Sequence, residues 1–434
     1  MSSEVYSNFN LSKTLYLVRN LKLKKLFKIR SVFIKNFLNL SANQVFNIIS
    51  TLIYTPLLFQ SLGDKSFGLV QFSFSILIIL SIFISFGYNI NGPVIISKEK
   101  NFQEIEKFTS NVLLLRIFLS LMVIGLSFPI IFFFVEQKLF KILIFSFTIL
   151  FSEALNPLFY LQGKNQIFPF SLLNFFSKSL YILLIVLFIS DNFDAFLANF
   201  FYGISLTFFY ISFWIHKFLK SKLSSINLSF DLFTKKIKNN FQLFLSSVTG
   251  HLSINSALII LFFFVNDIEL GRFALAYKIA FMLRMIPTFF IQSSLQHASK
   301  LYIISKENFI TYLNKYFYGG IILLFLIGIL FISLSSHIIE FFANEKIYYS
   351  TNILIILSFI PLLAMLNYKN MIIILVRDMK AILNKASYLT FVFMFFLSIF
   401  LSKLFGGIGL AYALLINELF SFLIHYYLIN KNDK

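Results

Sequence analysis

The chain has 434 residues, of which 58% are hydrophobic and 13% charged, and its mean hydropathy of +0.84 excludes a water-soluble globule, which needs far more polar surface. The absence of cysteine removes disulfides, thiolate metal sites and cysteine nucleophiles. A formal net charge of +19 comes with no folded extramembrane domain to present a basic face to nucleic acid, and no run of short alternating segments points to a spanning β-barrel.

Residues 1–36 form a basic arm with eight Lys or Arg, among them Lys22, Lys24, Lys25, Lys28 and Arg30. The arm lacks the apolar stretch of a signal peptide. It reads as a cytoplasmic segment lying on anionic headgroups, or as a topology anchor alone. Twelve apolar spans follow, at 37–60, 66–92, 109–135, 139–162, 166–190, 193–216, 239–265, 270–297, 313–337, 347–368, 384–403 and 405–429. Each is long enough to cross hydrocarbon about 30 Å thick.

The loops alternate in charge. Those after even-numbered spans are basic, for instance "KEKNFQEIEK" and "RDMKAILNK"; those after odd-numbered spans are short and mostly neutral or acidic, such as "NDIEL". In this arrangement 28 of the 37 Lys and Arg fall on one side, six on the other and three inside spans. Both termini are thereby predicted to be cytoplasmic. The basic linker 217–238 divides an N-lobe (37–216) from a C-lobe (239–434).

A short phrase opens the second span of each lobe: "SLGDKSFGLVQFSF" (61–74) and "DIELGRFALAYKIA" (267–280), with Gly68 in register with Gly271. An even number of spans per repeat keeps both copies in one orientation, giving two lobes related by an axis along the membrane normal. The glycines are expected to permit a tight turn between the first two helices of each lobe. The predicted fold is an all-α polytopic membrane protein of about twelve helices in two pseudo-symmetric six-helix lobes around a central cavity.

No phosphate-loop or metal-binding spacing occurs, and no cofactor is expected. The outer loops are too short for the acceptor domain of a sugar polymerase, so the enzyme reading is set aside. Polar side chains at membrane depth mark a bundle interior or a wet cavity. Span 1 carries a stripe at helical spacing: Asn36, Asn39, Asn43, Asn47, Ser50 and Tyr54. Its repeat partner, span 7, has a shorter copy, Ser247, His251 and Asn255.

Span 4 presents Glu153, Asn156, Tyr160 and Lys164, and span 5 presents Ser171, Asn174, Lys178 and Tyr181. Counting from their shared loop puts Glu153 and Lys178 at similar depth, which predicts an ion pair, either static or opened by substrate. Span 8 carries Lys278 and Arg284 without an acid on the same helix. Both suit an anionic ligand; Glu418 in span 12, with Ser421 and His425 on its face, is the internal partner that would compete for Arg284. Arg116 is expected to snorkel from the start of span 3.

Several stretches carry a resemblance. "YTPLLFQSLGDKSFGLVQFSF" contains Pro56, Leu62-Gly63, Asp64 and Phe67-Gly68. Gly87-Tyr88-Asn89 follows at the end of span 2, "EALNPLFYLQGKNQIF" ends span 4 in Gly163-Lys164, and "IELGRFALAYKIAFM" opens span 8. Over residues 37–430 the chain resembles the O-antigen (Wzx-type) flippases of the multidrug/oligosaccharidyl-lipid/polysaccharide (MOP) exporter superfamily. That resemblance implies alternating-access translocation of an undecaprenyl-pyrophosphate-linked oligosaccharide across the bacterial inner membrane. Membrane lipids, a polysaccharide polymerase and a chain-length regulator would be its partners. Lys278, Arg284 and Lys178 would hold the pyrophosphate, and the Asn and Tyr stripes the sugar hydroxyls. The alternative within the superfamily is a multidrug or organic-cation antiporter, which would favour acidic residues in the cavity.

Overall fold

A computed structural model describes residues 11–220 and 230–432, without the side chains of 11–43, 220, 230–239, 242, 243, 246, 253, 254 and 296. Among the described residues no strand forms. The first lobe comprises α1 (Leu11–Ser85), α2 (Tyr88–Lys98), α3 (Phe102–Phe134), α4 (Gln137–Ser146), α5 (Thr148–Ala154), α6 (Leu158–Gly163), α7 (Ile167–Phe188) and α8 (Ala195–Lys220). The second comprises α9 (Phe230–Phe262), α10 (Asp267–Ile304), α11 (Lys306–Ala343), α12 (Tyr348–Leu357), α13 (Ile360–Leu366), α14 (Tyr368–Val376) and α15 (Lys380–Asn432). In hydrocarbon a helix satisfies its own backbone, which is why apolar runs of this length adopt it. Polar caps start the helices where the loops lie: Asn101 accepts from the Gln103 amide, Asn266 from Glu269 and Ser305 from Asn308.

Nine segments among the described residues are long and apolar enough to cross a membrane. Two of them are folded back on themselves. Gly63 (φ 69°) interrupts α1, and the rings of Phe59 and Phe67 on its two sides lie 5.1 Å apart. A straight helix would separate those residues by about 12 Å. Gly406 (φ 57°) does the same in α15, where Phe393 stacks on Phe420 at 4.1 Å. Counting each hairpin as two passes, and adding α9, the helices are consistent with twelve passes.

The turn in the first repeated phrase is thus made by Gly63. Gly68 and Gly271 sit inside helices and have a different job from the expected one. A Cβ on Gly271 would stand 1.8 Å from the Asp64 carbonyl oxygen, and one on Gly68 2.7 Å from the Gly271 nitrogen and 2.9 Å from the Asp267 oxygen. The two copies of the phrase therefore pack backbone to backbone. Their charges pair crosswise: Arg272 Nε with Asp64 at 2.5 Å and Lys65 with Asp267 at 3.4 Å. Each phrase supplies an acid to the other's base, the self-complementary pattern of a two-fold contact.

Below this junction one apolar core runs through both lobes, with Phe72 stacked on Phe262 at 4.0 Å. The lobes meet again along α2 and the start of α9. There Phe86 stacks on Phe244 at 4.6 Å and Asn91 donates to Asn240 at 2.8 Å.

Both lobes break their fourth span. α4, α5 and α6 are separated at Phe147 and at Leu155–Pro157, and α12, α13 and α14 at Ser358–Phe359 and Asn367. Breaks free carbonyls that lipid would leave unsatisfied. In the first lobe the Leu155 oxygen accepts from Trp214 Nε1 at 2.7 Å, and the Asn156 oxygen from Arg116 at 3.3 Å. The second span of the N-lobe is also broken, at Phe86 (φ 42°) and Gly87 (φ 75°), whereas its repeat partner α10 runs on unbroken.

Candidate functional site

Each lobe holds a polar cavity. The N-lobe cavity, about 210 Å³, is lined by Asn47, Ser81, Glu153, Asn156, Asn174 and Lys178, with Tyr202 and Tyr210. Five residues singled out from the sequence therefore come together: Asn47, Glu153, Asn156, Asn174 and Lys178. Asn174 accepts a 2.9 Å hydrogen bond from the Tyr210 hydroxyl. Asn43 lies among the residues whose side chains are outside the described set.

The direct Glu153–Lys178 pair expected from the sequence is not formed, although both residues line one cavity. The Glu153 carboxylate instead accepts from Asn89 Nδ2 and Asn156 Nδ2, both at 3.0 Å. Asn89 in turn accepts from Arg116 at 2.8 Å. Arg116, Asn89, Glu153 and Asn156 so form a closed ring, in which acid and base are joined through amides.

Arg116 is fully buried, with its guanidinium 4.6 Å from the centre of the Phe159 ring. It does not snorkel. The reason is the length of α3, which begins at Phe102 after the Asn101 cap. That start puts Arg116 about 21 Å along the helix, twice the depth implied by a span starting at 109. The cap and Glu104 behind it were the signal available in the sequence. Asn89 carried only a weak one, its place directly after the Gly87 break.

The C-lobe cavity, about 300 Å³, lies among α10, α13 and α15 and is lined in part by Arg284, Asn367, Thr390, Asn417, Glu418 and His425. Arg284 Nε bonds Glu418 at 2.5 Å. The competing internal partner has thus claimed the arginine, whose side chain is 28% exposed. His251 and Asn255 line neither cavity; His251 is exposed, and its backbone oxygen accepts from Asn255 at 3.2 Å.

Lys278 stands between the lobes. Its ammonium donates to Gln71 at 3.1 Å and lies 4.8 Å from the centre of the Tyr54 ring and 5.9 Å from that of Phe67. Tyr54, predicted as a cavity residue, is buried beneath it and meets Tyr181 edge-on at 5.2 Å. Gln71 was missed because one amide among aromatic residues gives no periodic signal. None of the described acids pairs with Lys278. Lys278 thus has an amide and two aromatic faces, and no carboxylate, at its ammonium.

Known structures share this architecture. The lipid II flippase MurJ in an inward closed conformation superimposes with a TM-score of 0.69 at 17% identity, covering 92% of this chain and 87% of that one. An inward-facing multidrug resistance MATE family transporter of the MOP superfamily gives 0.68 at 16% identity, covering 87% and 93%. A MOP superfamily transporter from Pyrococcus furiosus, described as having a binding pocket of reverse polarity, gives 0.62 at 14% identity over 91% and 94%. At such identities the likeness is one of fold. No curated protein matches the chain. The profile of the polysaccharide biosynthesis protein family matches residues 33–298, more than half of the sequence, and the chain belongs to that family of multi-pass membrane proteins.

Proposed function

We propose that the protein is a flippase for a glycan linked to undecaprenyl pyrophosphate, the repeat unit of an O-antigen, capsule or exopolysaccharide. The observation that supports this reading most directly is the charge between the lobes. Lys178, in the N-lobe cavity, and Lys278, on Gln71 and Tyr54, come from opposite lobes, and neither forms a salt bridge with a carboxylate among the described residues. A lysine at membrane depth without a carboxylate is costly unless an anion joins it, and a pyrophosphate is such an anion. Its charge and its sugars need a polar route through hydrocarbon, which the space between the lobes would provide. The lipid tail would remain in the bilayer.

The carboxylates expected of an organic-cation antiporter are occupied. Glu153 is held by Asn89 and Asn156, and Glu418 by Arg284. The protein would work in the bacterial inner membrane with both termini cytoplasmic, beside a polymerase and a chain-length regulator. Alternating access would open the outer junction at Gly68 and Gly271 and the inner contact between α2 and α9 in turn.

The test is Lys278→Gln, made alone and with Lys178→Gln, scored by surface polysaccharide at equal protein level. Loss of a charge-assisted contact of about 1.5–3 kcal/mol predicts a fall of about 10- to 150-fold. Unchanged polysaccharide in the double variant would remove the reading.

A further inference from the structure

The α15 hairpin carries an apolar groove of about 510 Å³, larger than either polar cavity. Leu389, Val392, Phe393, Phe396, Leu397 and Phe400 line it from the first half of the hairpin. Phe420 lines it from the second half and stacks on Phe393 at 4.1 Å. The groove therefore follows the seam between the two halves. Its stripe on the first half lies about 120° around the helix from Leu383, Ser387 and Thr390, which line the C-lobe cavity. It opens outward instead, where Phe396 and Phe400 are exposed.

One end of the groove is charged. Lys385 stands four residues before Leu389 and continues the same stripe. On the second half, Tyr427 and Lys431 stand seven and eleven residues after Phe420 and share its face. The Phe393–Phe420 stack sets the register of the two halves. Counted from it toward the end opposite Gly406, Lys385 lies about 12 Å away and Lys431 about 16 Å, on adjoining helices about 8–10 Å apart. Two ammonium groups on long stems can thus meet at one phosphate. Both lysines are exposed, and neither pairs with a carboxylate among the described residues; Asp378, at the same end, is held by Lys380 at 3.2 Å. Tyr388 and Tyr427 are exposed at this level, as aromatic residues are at the edge of hydrocarbon.

The dimensions suit one acyl chain. Leu389 to Phe400 spans about 16 Å, and one leaflet of hydrocarbon is about 15 Å deep. At about 30 Å³ for a water-sized group the groove holds about 17 groups. That is the carbon count of an ordinary fatty acyl chain and far below that of an undecaprenyl tail.

We propose that the seam of the α15 hairpin is a binding site for an anionic phospholipid, with one acyl chain along the groove and the phosphate between Lys385 and Lys431. In the topology proposed above the lipid belongs to the cytoplasmic leaflet. The site does not depend on the flippase reading.

The experiment is native mass spectrometry of the delipidated full-length protein, titrated with phosphatidylglycerol or phosphatidylethanolamine of identical chains. The wild type is expected to bind one phosphatidylglycerol about 30-fold more tightly than phosphatidylethanolamine, the contribution of two lysines near a headgroup. Lys385→Gln combined with Lys431→Gln should remove that preference, and its melting temperature without lipid should match wild type because both side chains are exposed. Val392→Trp, which fills the groove, should weaken both lipids about tenfold. Lys346→Gln, an exposed lysine between α11 and α12, should change neither. Undecaprenyl phosphate and inorganic phosphate are added as competitors, and neither should displace phosphatidylglycerol at equal concentration.

Equal affinity of the wild type for the two phospholipids, or a preference that survives the double variant, overturns the site and leaves bulk lipid against the groove. Displacement by undecaprenyl phosphate reassigns the groove to a polyprenyl tail, and displacement by inorganic phosphate shows that no chain is held. A dimer that Val392→Trp dissociates reassigns the seam to a second copy of the chain. Each of these three results also overturns the proposal.

Discussion

Gly271→Ala is the sharpest perturbation available. The added methyl would meet the Asp64 carbonyl oxygen at 1.8 Å and its carbonyl carbon at 2.7 Å. Both are backbone atoms on an element that has no rotamer to change. Ordinary contact needs roughly 1.5 Å more, so the two phrases must separate by about that much. Overpacking of this kind costs about 1–3 kcal/mol. The crosswise pairs, Arg272–Asp64 and Lys65–Asp267, would stretch together, but they are partly exposed and add at most about 1 kcal/mol.

A closed junction weakened by 1–3 kcal/mol opens about 5- to 150-fold more often. The chain has no cysteine, so Gln71→Cys, three residues and just under one turn beyond Gly68, gives a single reporter. Its labelling by a membrane-impermeant thiol reagent should accelerate by at least about fivefold in the Gly271→Ala background. Gly125→Ala is the control, since nothing lies within 4 Å of its new methyl. It should be neutral, or stabilising by up to about 1 kcal/mol. Labelling and melting temperature unchanged by Gly271→Ala would refute the backbone contact and with it the junction between the two phrases.

Further outcomes follow from the ion pairs. Glu418→Gln should destabilise the protein by about 1–3 kcal/mol by leaving Arg284 without its carboxylate, and adding Arg284→Met should recover most of that in a thermal-stability assay. Arg116→Met should cost more than Glu418→Gln, because Arg116 is fully buried and also holds the Asn156 carbonyl; equal or smaller loss would show that the ring is not closed in solution. Lys65→Ala should change stability by less than about 0.5 kcal/mol, since its 3.4 Å pair is more than half exposed on the lysine side.

The features legible in the sequence were those that repeat or that lipid enforces. Spans, loop charge and the duplicated phrase all follow from the cost of polar groups in hydrocarbon, and they led to the right fold. Polar spacing along single helices also singled out Asn47, Glu153, Asn156, Asn174 and Lys178, which line one cavity. Pairing was harder to read, because the partner of a charge lies on another helix. Arg284 was assigned to an anion as readily as to Glu418. Glu153 was matched with the lysine at its own depth, whereas the groups that reach it are Asn156 on its own span and Asn89, beyond a helix break set by Phe86 and Gly87. Lys278 was recognised as unpaired by acid, but its rest on Tyr54 and Gln71 depends on how the lobes are docked, which no periodicity records.

The crosswise contact between the two phrases has a consequence for descent. Asp64 meets Arg272 while Asp267 meets Lys65, and the two helices touch at residues in the same register. This is the contact that a half-length chain would make with a second copy of itself. Within one chain the two halves need not be identical, and a change in one can be answered in the other. The bases show this: Lys65 and Arg272 do similar work from positions that are not in register. What such a seam cannot absorb is a side chain at its centre, so Gly68 and Gly271 should be the last pair to diverge while the surrounding cavity residues drift toward new cargo.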